Sequence, residues 1–186
     1  MTTNENYIYL DLDETLFHTE VRAKASTNAK RINFKLGTWW YCSLMRPSAL
    51  DLIAYCRDLS LTRVLTNSTR DYATIACDLF GFDFSYEELV CRDDYIRYEM
   101  DGWGGYGGSA RETAVVSDSL NRHGSILVDN LYPDDPGAIQ KRQFLGIDAS
   151  RYIQIREFRG EDPECFKEEL HDIKTKIAVL VHGQSL

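Results

Sequence analysis

The sequence of 186 residues lacks the features of several specialised protein classes. It has no run of 18 apolar residues, the length that a membrane-spanning helix needs. Its first six residues are polar and carry no Lys or Arg, so we expect no secretory signal peptide. The five cysteines are odd in number and none is spaced C-x-x-C, which disfavours a disulfide framework and a zinc ribbon. We therefore expect reduced cysteines in a soluble intracellular protein of the cytoplasm.

Two nucleotide-binding patterns are also missing. Neither G-x-x-x-x-G-K-[ST] nor G-x-G-x-x-G occurs, so a nucleotide-dependent kinase or a dehydrogenase finds no support.

The 21 Lys and Arg residues are outnumbered by 29 Asp and Glu residues, for a net charge of −8. Nonspecific coating of nucleic acid depends on basic residues and is therefore not expected.

The charge is spread unevenly along the chain. Residues 21–50 contain six Lys and Arg residues and no Asp or Glu, so this segment has a charge of +6. Since the whole chain has a charge of −8, the remaining residues together carry −14. This basic segment could attract an anionic substrate if it lies beside the active site. The alternative is an ordinary solvated hairpin face.

Strand patterns alternate with helix patterns along the chain, which is typical of an α/β fold with a mostly parallel sheet and helices on both faces. Strands are predicted at 7–10, 63–65, 89–91, 125–128 and 152–155, and a hairpin at 32–45. Helices are predicted to begin at Pro47, to run from Tyr72 to Gly81 and from about Arg111 to Arg122, and to begin at Asp162–Pro163 near the C-terminus. We expect one domain over residues 1–186, with a small β-hairpin insert at about 19–45, which we call the flap, and a glycine-rich hairpin or loop at about 92–110.

Polar residues follow three of the predicted strands. Asp11 and Asp13 follow the first strand, Thr66 and Ser68 the second, and Asp129 and Asn130 the strand at 125–128. Ligands of open α/β sheets bind beyond the carboxyl ends of the strands. We therefore expect the three groups to converge at one edge of the sheet.

The D-x-D pair of Asp11 and Asp13 is chemically suggestive. Two such carboxylates repel each other unless a cation lies between them or one holds a proton. Mg²⁺ suits oxygen ligands of this kind together with a substrate phosphate. A carboxylate can also attack phosphorus, and its neighbour can transfer the proton. An acidic loop without function is the alternative reading of this pair alone.

The motifs resemble those of the haloacid dehalogenase superfamily of phosphohydrolases. The segment D-L-D-E-T-L-F-H at 11–18 is closest to the branch that contains the small phosphatases of the RNA polymerase C-terminal domain and the NLI-interacting-factor-like proteins. Arg46–Pro47, the segment V-L-T-N-S-T-R-D-Y-A at 64–73, and V-D-N-L-Y-P at 128–133 resemble later motifs of that branch. The resemblance extends over about residues 7–133.

This resemblance implies a role for each matching residue. Asp11 would be the nucleophile and Asp13 the general acid and base. Thr66 and Asn67 would bind the phosphoryl group. Mg²⁺ would be held by Asp11, Asp13, and Asn130 or Asp129. The implied reaction is the Mg²⁺-dependent hydrolysis of a phosphomonoester through an aspartyl-phosphate, as in a phosphoprotein Ser/Thr phosphatase.

One family residue has no match at its expected position. The family places a lysine ahead of its fourth motif, but this chain has no lysine between Lys35 and Lys141. Arg111 is our candidate substitute, since Arg binds phosphate well. An arginine there is also consistent with a nucleic-acid 3′-phosphatase or a nucleotidase, and the missing lysine with a phosphate-binding module that has no activity.

Overall fold

A computed structural model of the protein describes residues 6–95, 97–99, 111–113, 124–160 and 165–183. Its strands are β1 (Tyr7–Leu10), β2 (Phe17–Arg22), β3 (Ile32–Leu36), β4 (Trp39–Met45), β5 (Leu61–Leu65), β6 (Leu89–Val90), β7 (Arg97–Glu99), β8 (Arg111–Thr113), β9 (Ile126–Asp129) and β10 (Tyr152–Gln154). Its helices are α1 (Ala49–Leu59), α2 (Arg70–Phe80), α3 (Arg92–Tyr95), α4 (Pro136–Leu145) and α5 (Cys165–His182).

Five of these strands form a parallel sheet in the order β10-β9-β1-β5-β6. Strand β1 lies in the middle, with Leu10 opposite both Val64 of β5 and Val128 of β9. The predicted α/β architecture with a mostly parallel sheet is therefore confirmed. Because the three central strands end at the same level, the residues that follow them meet at one edge.

The alternation of side chains along β1 divides the core between the two faces of the sheet. Ile8 and Leu10 belong to the larger apolar cluster, to which α1, α2 and α5 contribute. Tyr7 and Tyr9 belong to a smaller cluster that includes Phe144 from α4. Helices thus cover both faces, and β1 is buried on each side.

The flap is a three-stranded antiparallel sheet in the order β2-β4-β3. The sequence predicted its hairpin of β3 and β4, whose turn contains Gly37 at φ +61°, but not the third strand β2. One face of the flap packs on the core, where Phe34 and Tyr41 stack at 5.2 Å between ring centroids and Tyr41 contacts Tyr72 of α2.

Several predicted elements differ from the structure. Helix α2 ends before the left-handed Gly81, as predicted, but it begins at Arg70 rather than at Tyr72. The predicted helix from Arg111 begins as strand β8, paired with β7, and its continuation lies outside the described residues.

Helix α4 was not predicted, because its composition is polar and its apolar periodicity weak. The predicted start of the last helix at Asp162–Pro163 and the glycine-rich segment 101–108 also lie outside the described residues. No helix in the described ranges combines the length and the apolar composition needed to cross a membrane.

Candidate active site

A tight loop at the end of β1 sets the position of both aspartates. The backbone N–H of Asp11 donates to the Val128 carbonyl at 3.0 Å, which extends the pairing with β9 by one residue. The Leu12 carbonyl then accepts hydrogen bonds from the N–H groups of Thr15 and Leu16 at 3.2 and 2.8 Å. Glu14 adopts a left-handed conformation with φ 60°, which is rare for a residue with a side chain and is typical of functional loops.

A buried lysine joins two of the aspartates. The Lys141 Nζ donates to Asp11 Oδ1 and to Asp129 Oδ2, each at 2.7 Å. All three side chains are almost completely inaccessible to solvent. Lys141 comes from α4, which follows β9 in sequence. The family pattern instead places its lysine before the motif at β9.

These contacts shift the titration of both ends of the pair. Burial raises the pKa of Asp11 to about 7, against the opposing effect of Lys141. For Lys141 burial lowers the pKa, but the two carboxylates outweigh it and hold the pKa above the ordinary lysine value. The lysine is therefore charged, while Asp11 needs further positive charge nearby to remain fully ionised at neutral pH.

Asn130 supplies an oxygen at the point where such a charge would bind. One terminal atom of its amide lies 3.3 Å from Asp11 Oδ2, 3.2 Å from the Asp13 carbonyl oxygen and 3.3 Å from Thr15 Oγ1. The Asp11 and Asp13 oxygens accept hydrogen bonds, whereas the Thr15 hydroxyl can both donate and accept. The amide nitrogen fits this position in the absence of a cation, whereas the amide oxygen fits it when a cation lies among the oxygens.

This donor set suits Mg²⁺, a hard cation that binds one or two carboxylates and further oxygen ligands. The residues that would hold it are Asp11 by its carboxylate, Asp13 by its backbone carbonyl and Asn130 by its amide oxygen. Asp129 Oδ1 also lies 3.3 Å from the same amide atom and accepts from the Leu131 N–H at 3.0 Å, while its Oδ2 accepts from Lys141. Within the described ranges, no three His, Cys, Asp or Glu side chains form a metal-binding group. The set around Asn130 differs from such a group because it also includes a backbone carbonyl, an amide and a hydroxyl.

The Asp13 carboxylate is held on both oxygens from α2 and the segment before it. Ser68 Oγ donates to Oδ2 at 2.7 Å, and the Tyr72 hydroxyl donates to Oδ1 at 2.5 Å. Burial raises the pKa of Asp13, and the hydrogen bonds from Tyr72 and Ser68 partly oppose that rise. Asp13 is thus oriented and biased toward the protonated form, as a general acid requires.

The remaining predicted phosphate ligands lie in two different environments. Thr66 is buried at the end of β5, where its hydroxyl accepts from the Ser68 N–H at 3.1 Å. Asn67 is half-buried beside the start of α4, since a Cβ added to Gly137 would lie 3.1 Å from its Nδ2. The backbone of Arg111 pairs with Glu99 in a two-stranded ribbon, and its predicted phosphate contact lies outside what the structure describes.

Arg46 stabilises the loop that carries the two aspartates through hydrogen bonds to its backbone. Its guanidinium is buried, donates to the Glu14 carbonyl at 3.2 Å and to the Arg156 carbonyl, and pairs with Glu169 Oε2 at 3.3 Å. The Phe158 N–H donates to the same Glu14 carbonyl at 2.8 Å. These bonds fix the left-handed Glu14, and through it the Asp13 carbonyl.

Two cavities are lined by residues of the site. One of about 370 Å³ is lined by Asp13, Asn67 and Tyr72 together with Val21 and Tyr41 of the flap. Another, of about 610 Å³, is lined by residues that begin at Asn130 and extend along the segment after β10. Asp13 thus borders the first cavity and Asn130 the second.

The sequence contained a signal for Lys141 that we did not use. Asp135 is an N-cap residue, Pro136 takes the first helical position and Gly146 ends α4 in a left-handed conformation. Ala138, Lys141 and Leu145 then follow the i, i+3, i+7 spacing of a buried stripe. A lysine within a buried stripe requires a buried anion, and the aspartates after β1 and β9 are the candidates.

Comparison with one solved structure supports the fold. The structure of Fcp1, an essential RNA polymerase II CTD phosphatase, aligns with 97% of this chain at a TM-score of 0.50 and 15% identity. A fission yeast Fcp1 variant bound to beryllium fluoride aligns with 95% of the chain at a TM-score of 0.48 and 16% identity. This chain spans about half the length of each, 52% and 51%. No curated protein matches it in sequence.

The family assignment comes from the sequence motifs as a set. The family model described as NLI interacting factor-like phosphatase matches residues 7–163, most of the chain and all the motifs around the site. The resemblance inferred from Asp11–His18 and the later motifs is thereby confirmed. The chain belongs to the NLI interacting factor-like phosphatase family.

Proposed function

We propose that the protein is a Mg²⁺-dependent phosphomonoesterase that acts through an aspartyl-phosphate on a phosphorylated protein. The observation that carries the proposal is a set of contacts around Asp11: Lys141 donates to its Oδ1, and the Asn130 amide lies within 3.3 Å of both its Oδ2 and the Asp13 carbonyl. A nucleophile, an acid, a buried cation and an oxygen-rich metal site are the parts that phosphoryl transfer by a carboxylate needs.

Asp11 has a different task for each of its oxygens. Its Oδ2 lies 3.3 Å from the Asn130 amide atom that also contacts the Asp13 carbonyl, so we assign it to the cation. Its Oδ1, which accepts from Lys141, is left to attack phosphorus. The lysine stabilises the negative charge that the phosphoryl group brings beside Asp11 and Asp129. Bound Mg²⁺ would supply further charge neutralisation and orient the phosphoryl oxygens.

Asp13 transfers the proton in both halves of the reaction. In the first, a bond forms between Asp11 Oδ1 and phosphorus, the bond to the leaving oxygen breaks, and protonated Asp13 gives that oxygen its proton. In the second, the oxygen of a water molecule bonds to phosphorus while Asp13 takes a proton from that water. The bond between Asp11 Oδ1 and phosphorus breaks, which frees the Asp11 carboxylate and releases inorganic phosphate. Tyr72 and Ser68 hold the Asp13 carboxyl in place for both transfers.

The two cavities favour a phosphorylated residue within a chain over a terminal phosphate. A polymer whose phosphate reaches Asp11 can continue into the flap-side cavity in one direction and past Asn130 in the other. A 3′-phosphorylated end would use one side only. Lys141 also removes the main support for a module without activity, because a buried lysine is present at Asp11 after all.

The first experiment is hydrolysis of p-nitrophenyl phosphate with and without Mg²⁺, compared with the variant Asp11→Asn. Asp58→Asn, an identical change at an exposed position of α1, is the control. We expect Mg²⁺-dependent turnover in the wild type and the control and none in Asp11→Asn. Equal turnover in all three proteins would exclude Asp11 as the nucleophile.

The second experiment addresses substrate class. Turnover of a phosphoserine peptide with residues on both sides of the phosphoserine is compared with that of a 3′-phosphorylated oligonucleotide. We expect the higher kcat/KM for the peptide. A preference for the oligonucleotide would favour the nucleic-acid 3′-phosphatase instead, and phosphate binding without turnover of either would favour the module without activity.

A further inference from the structure

The face of the flap that points away from the core carries a row of cations around a tryptophan. In the register of the flap, Trp40 lies opposite Arg22 on one side and Lys35 on the other. Since neighbouring positions along a strand point to opposite faces, these three lie on the face opposite Phe34 and Tyr41. Trp40 is partly exposed, and Arg22 and Lys35 are exposed. We call this surface the outer flap face.

The loop between β2 and β3 adds cations to the same surface. The Ser26 N–H donates to Asn33 Oδ1 at 2.8 Å, and Asn33 Nδ2 donates back to the Ser26 carbonyl at 3.0 Å. The Lys24 carbonyl lies 3.9 Å from the sulfur of Cys42. Asn33 and Cys42 are paired on the outer flap face, so the loop lies across it. Lys24 and Lys30 are therefore carried beside the row of Arg22, Trp40 and Lys35.

Most of this positive charge is uncompensated. Glu20, the single acidic residue between 19 and 45, pairs with both Arg22 and Arg31. Lys24, Lys30 and Lys35 are exposed and form no ion pair with any carboxylate in the described ranges. Five cations and one anion leave a local charge of +4 on a chain whose total is −8. A polyanion is thus attracted to this surface and repelled by much of the remainder.

We propose that the outer flap face binds single-stranded nucleic acid, at a site separate from the catalytic cleft. The lysines contact successive phosphates, and Trp40, between two cations, stacks on a base. Sequence-tolerant binding of single strands uses this combination of a basic track and an aromatic platform. The proposal does not depend on the proposed phosphatase activity, because the outer flap face is the opposite side of the flap from Val21 and Tyr41, which line the catalytic cavity.

An acidic peptide is the competing ligand, and the placement of Trp40 argues against it. Carboxylates would be satisfied by the lysines alone and would gain nothing from an aromatic ring in the centre of the row. A nucleobase gains stacking from that ring as well as phosphate contacts from the lysines. Trp39, the exposed neighbour of Trp40, lies on the other face of β4 and provides an internal comparison.

The test is fluorescence anisotropy with the full chain and a fluorescein-labelled oligo-dT of 15 nucleotides, measured from 50 to 200 mM NaCl. Four released counterions correspond to a log–log salt slope of about −2.8, so the affinity should fall about 50-fold over this range. The variant Lys24→Gln/Lys30→Gln/Lys35→Gln should reduce the slope to about −0.7 and the fall to about threefold. The control Lys167→Gln/Lys174→Gln/Lys176→Gln, with the same charge change on α5, should behave as the wild type.

Trp40→Ala separates stacking from charge. We expect it to weaken oligo-dT binding about fivefold or more with the salt slope unchanged, while Trp39→Ala has little effect. Circular dichroism confirms that each variant is folded. The proposal is overturned if oligo-dT does not bind at 50 mM NaCl, if the α5 control loses as much affinity as the flap variant, or if a polyglutamate peptide of equal charge binds as tightly as oligo-dT and Trp40→Ala changes neither.

Discussion

Replacing Lys141 by Met tests whether the buried lysine holds the site together. The change leaves the carboxylates of Asp11 and Asp129, both almost fully buried, without the Nζ that lies 2.7 Å from each. Removing one partner of a buried ion pair costs about 3–5 kcal/mol, because the remaining charge stays buried. For a domain of this size we expect the melting temperature to fall by about 6–20 °C.

The pH dependence gives this prediction its specific signature. Without Lys141, the pKa of Asp11 rises further above its unfolded value, because burial already raises it and the lysine opposes that rise. A group with a raised folded pKa favours the folded state below the unfolded pKa, and this contribution is lost as the pH rises through the folded pKa. The difference in unfolding free energy between wild type and Lys141→Met should therefore be larger at pH 8 than at pH 5.

Urea denaturation at the two pH values measures this difference, and Lys176→Met, an exposed lysine of α5, is the control. The control should lie within about 0.5 kcal/mol of the wild type. Turnover of p-nitrophenyl phosphate should fall by about 10² to 10³ in Lys141→Met, the loss typical of a removed charge-stabilising donor. A Lys141→Met variant as stable as the wild type at pH 8, or with the same deficit at both pH values, would refute the buried ion-pair interpretation.

Three further predictions concern other parts of the site. Tyr72→Phe removes a hydrogen bond that lowers the pKa of Asp13, so Asp13 keeps its proton to higher pH. The alkaline limb of the pH profile of kcat/KM should therefore move to higher pH. Tyr86→Phe, at an exposed position, should leave the pH profile unchanged. Arg46→Met removes one of the two donors to the Glu14 carbonyl and the buried guanidinium that pairs with Glu169. It should lower the free energy of unfolding by about 3 kcal/mol in urea titrations, whereas Arg63→Met, outside the loop, should not. Mg²⁺ at 100 times its dissociation constant should stabilise the protein by about 2.7 kcal/mol in a thermal melt, and Asn130→Ala should abolish this gain; an equal gain in the variant would place the ion elsewhere.

The sequence was sufficient to predict the sheet and the motif residues on it. Strand β1 has an uninterrupted apolar run, and the polar residues directly after β1, β5 and β9 must meet once those strands pair in parallel. The convergence of Asp11, Asp13, Thr66, Asp129 and Asn130 was predicted on that basis. No prediction of this kind was possible for Tyr72 as a ligand of Asp13, because its apolar helical spacing suggested only a core position.

Lys141 was missed for a physical reason. It lies on a helix whose exposed positions are polar and whose buried stripe is itself interrupted by the lysine, so the periodicity that reveals an amphipathic helix is weak there. Arg111 was predicted as the substitute because it precedes the fourth motif, where the family has its lysine, and because arginine binds phosphate. Helix α4 follows the fourth motif in sequence, yet its packing places Lys141 beside Asp11.

The central strands also determine when the site can exist during folding. Ile8 pairs with Ile126 and Tyr9 with Arg63, so the sheet edge that holds the aspartates depends on contacts between residues 118 and 54 positions apart. Contacts at such separations form slowly, because the chain must close long loops before it gains the strand pairs. Binding of a phosphate mimic or of Mg²⁺ should therefore report the late joining of β9 to β1, and an emerging polypeptide that ends before residue 129 would have a nucleophile but no site.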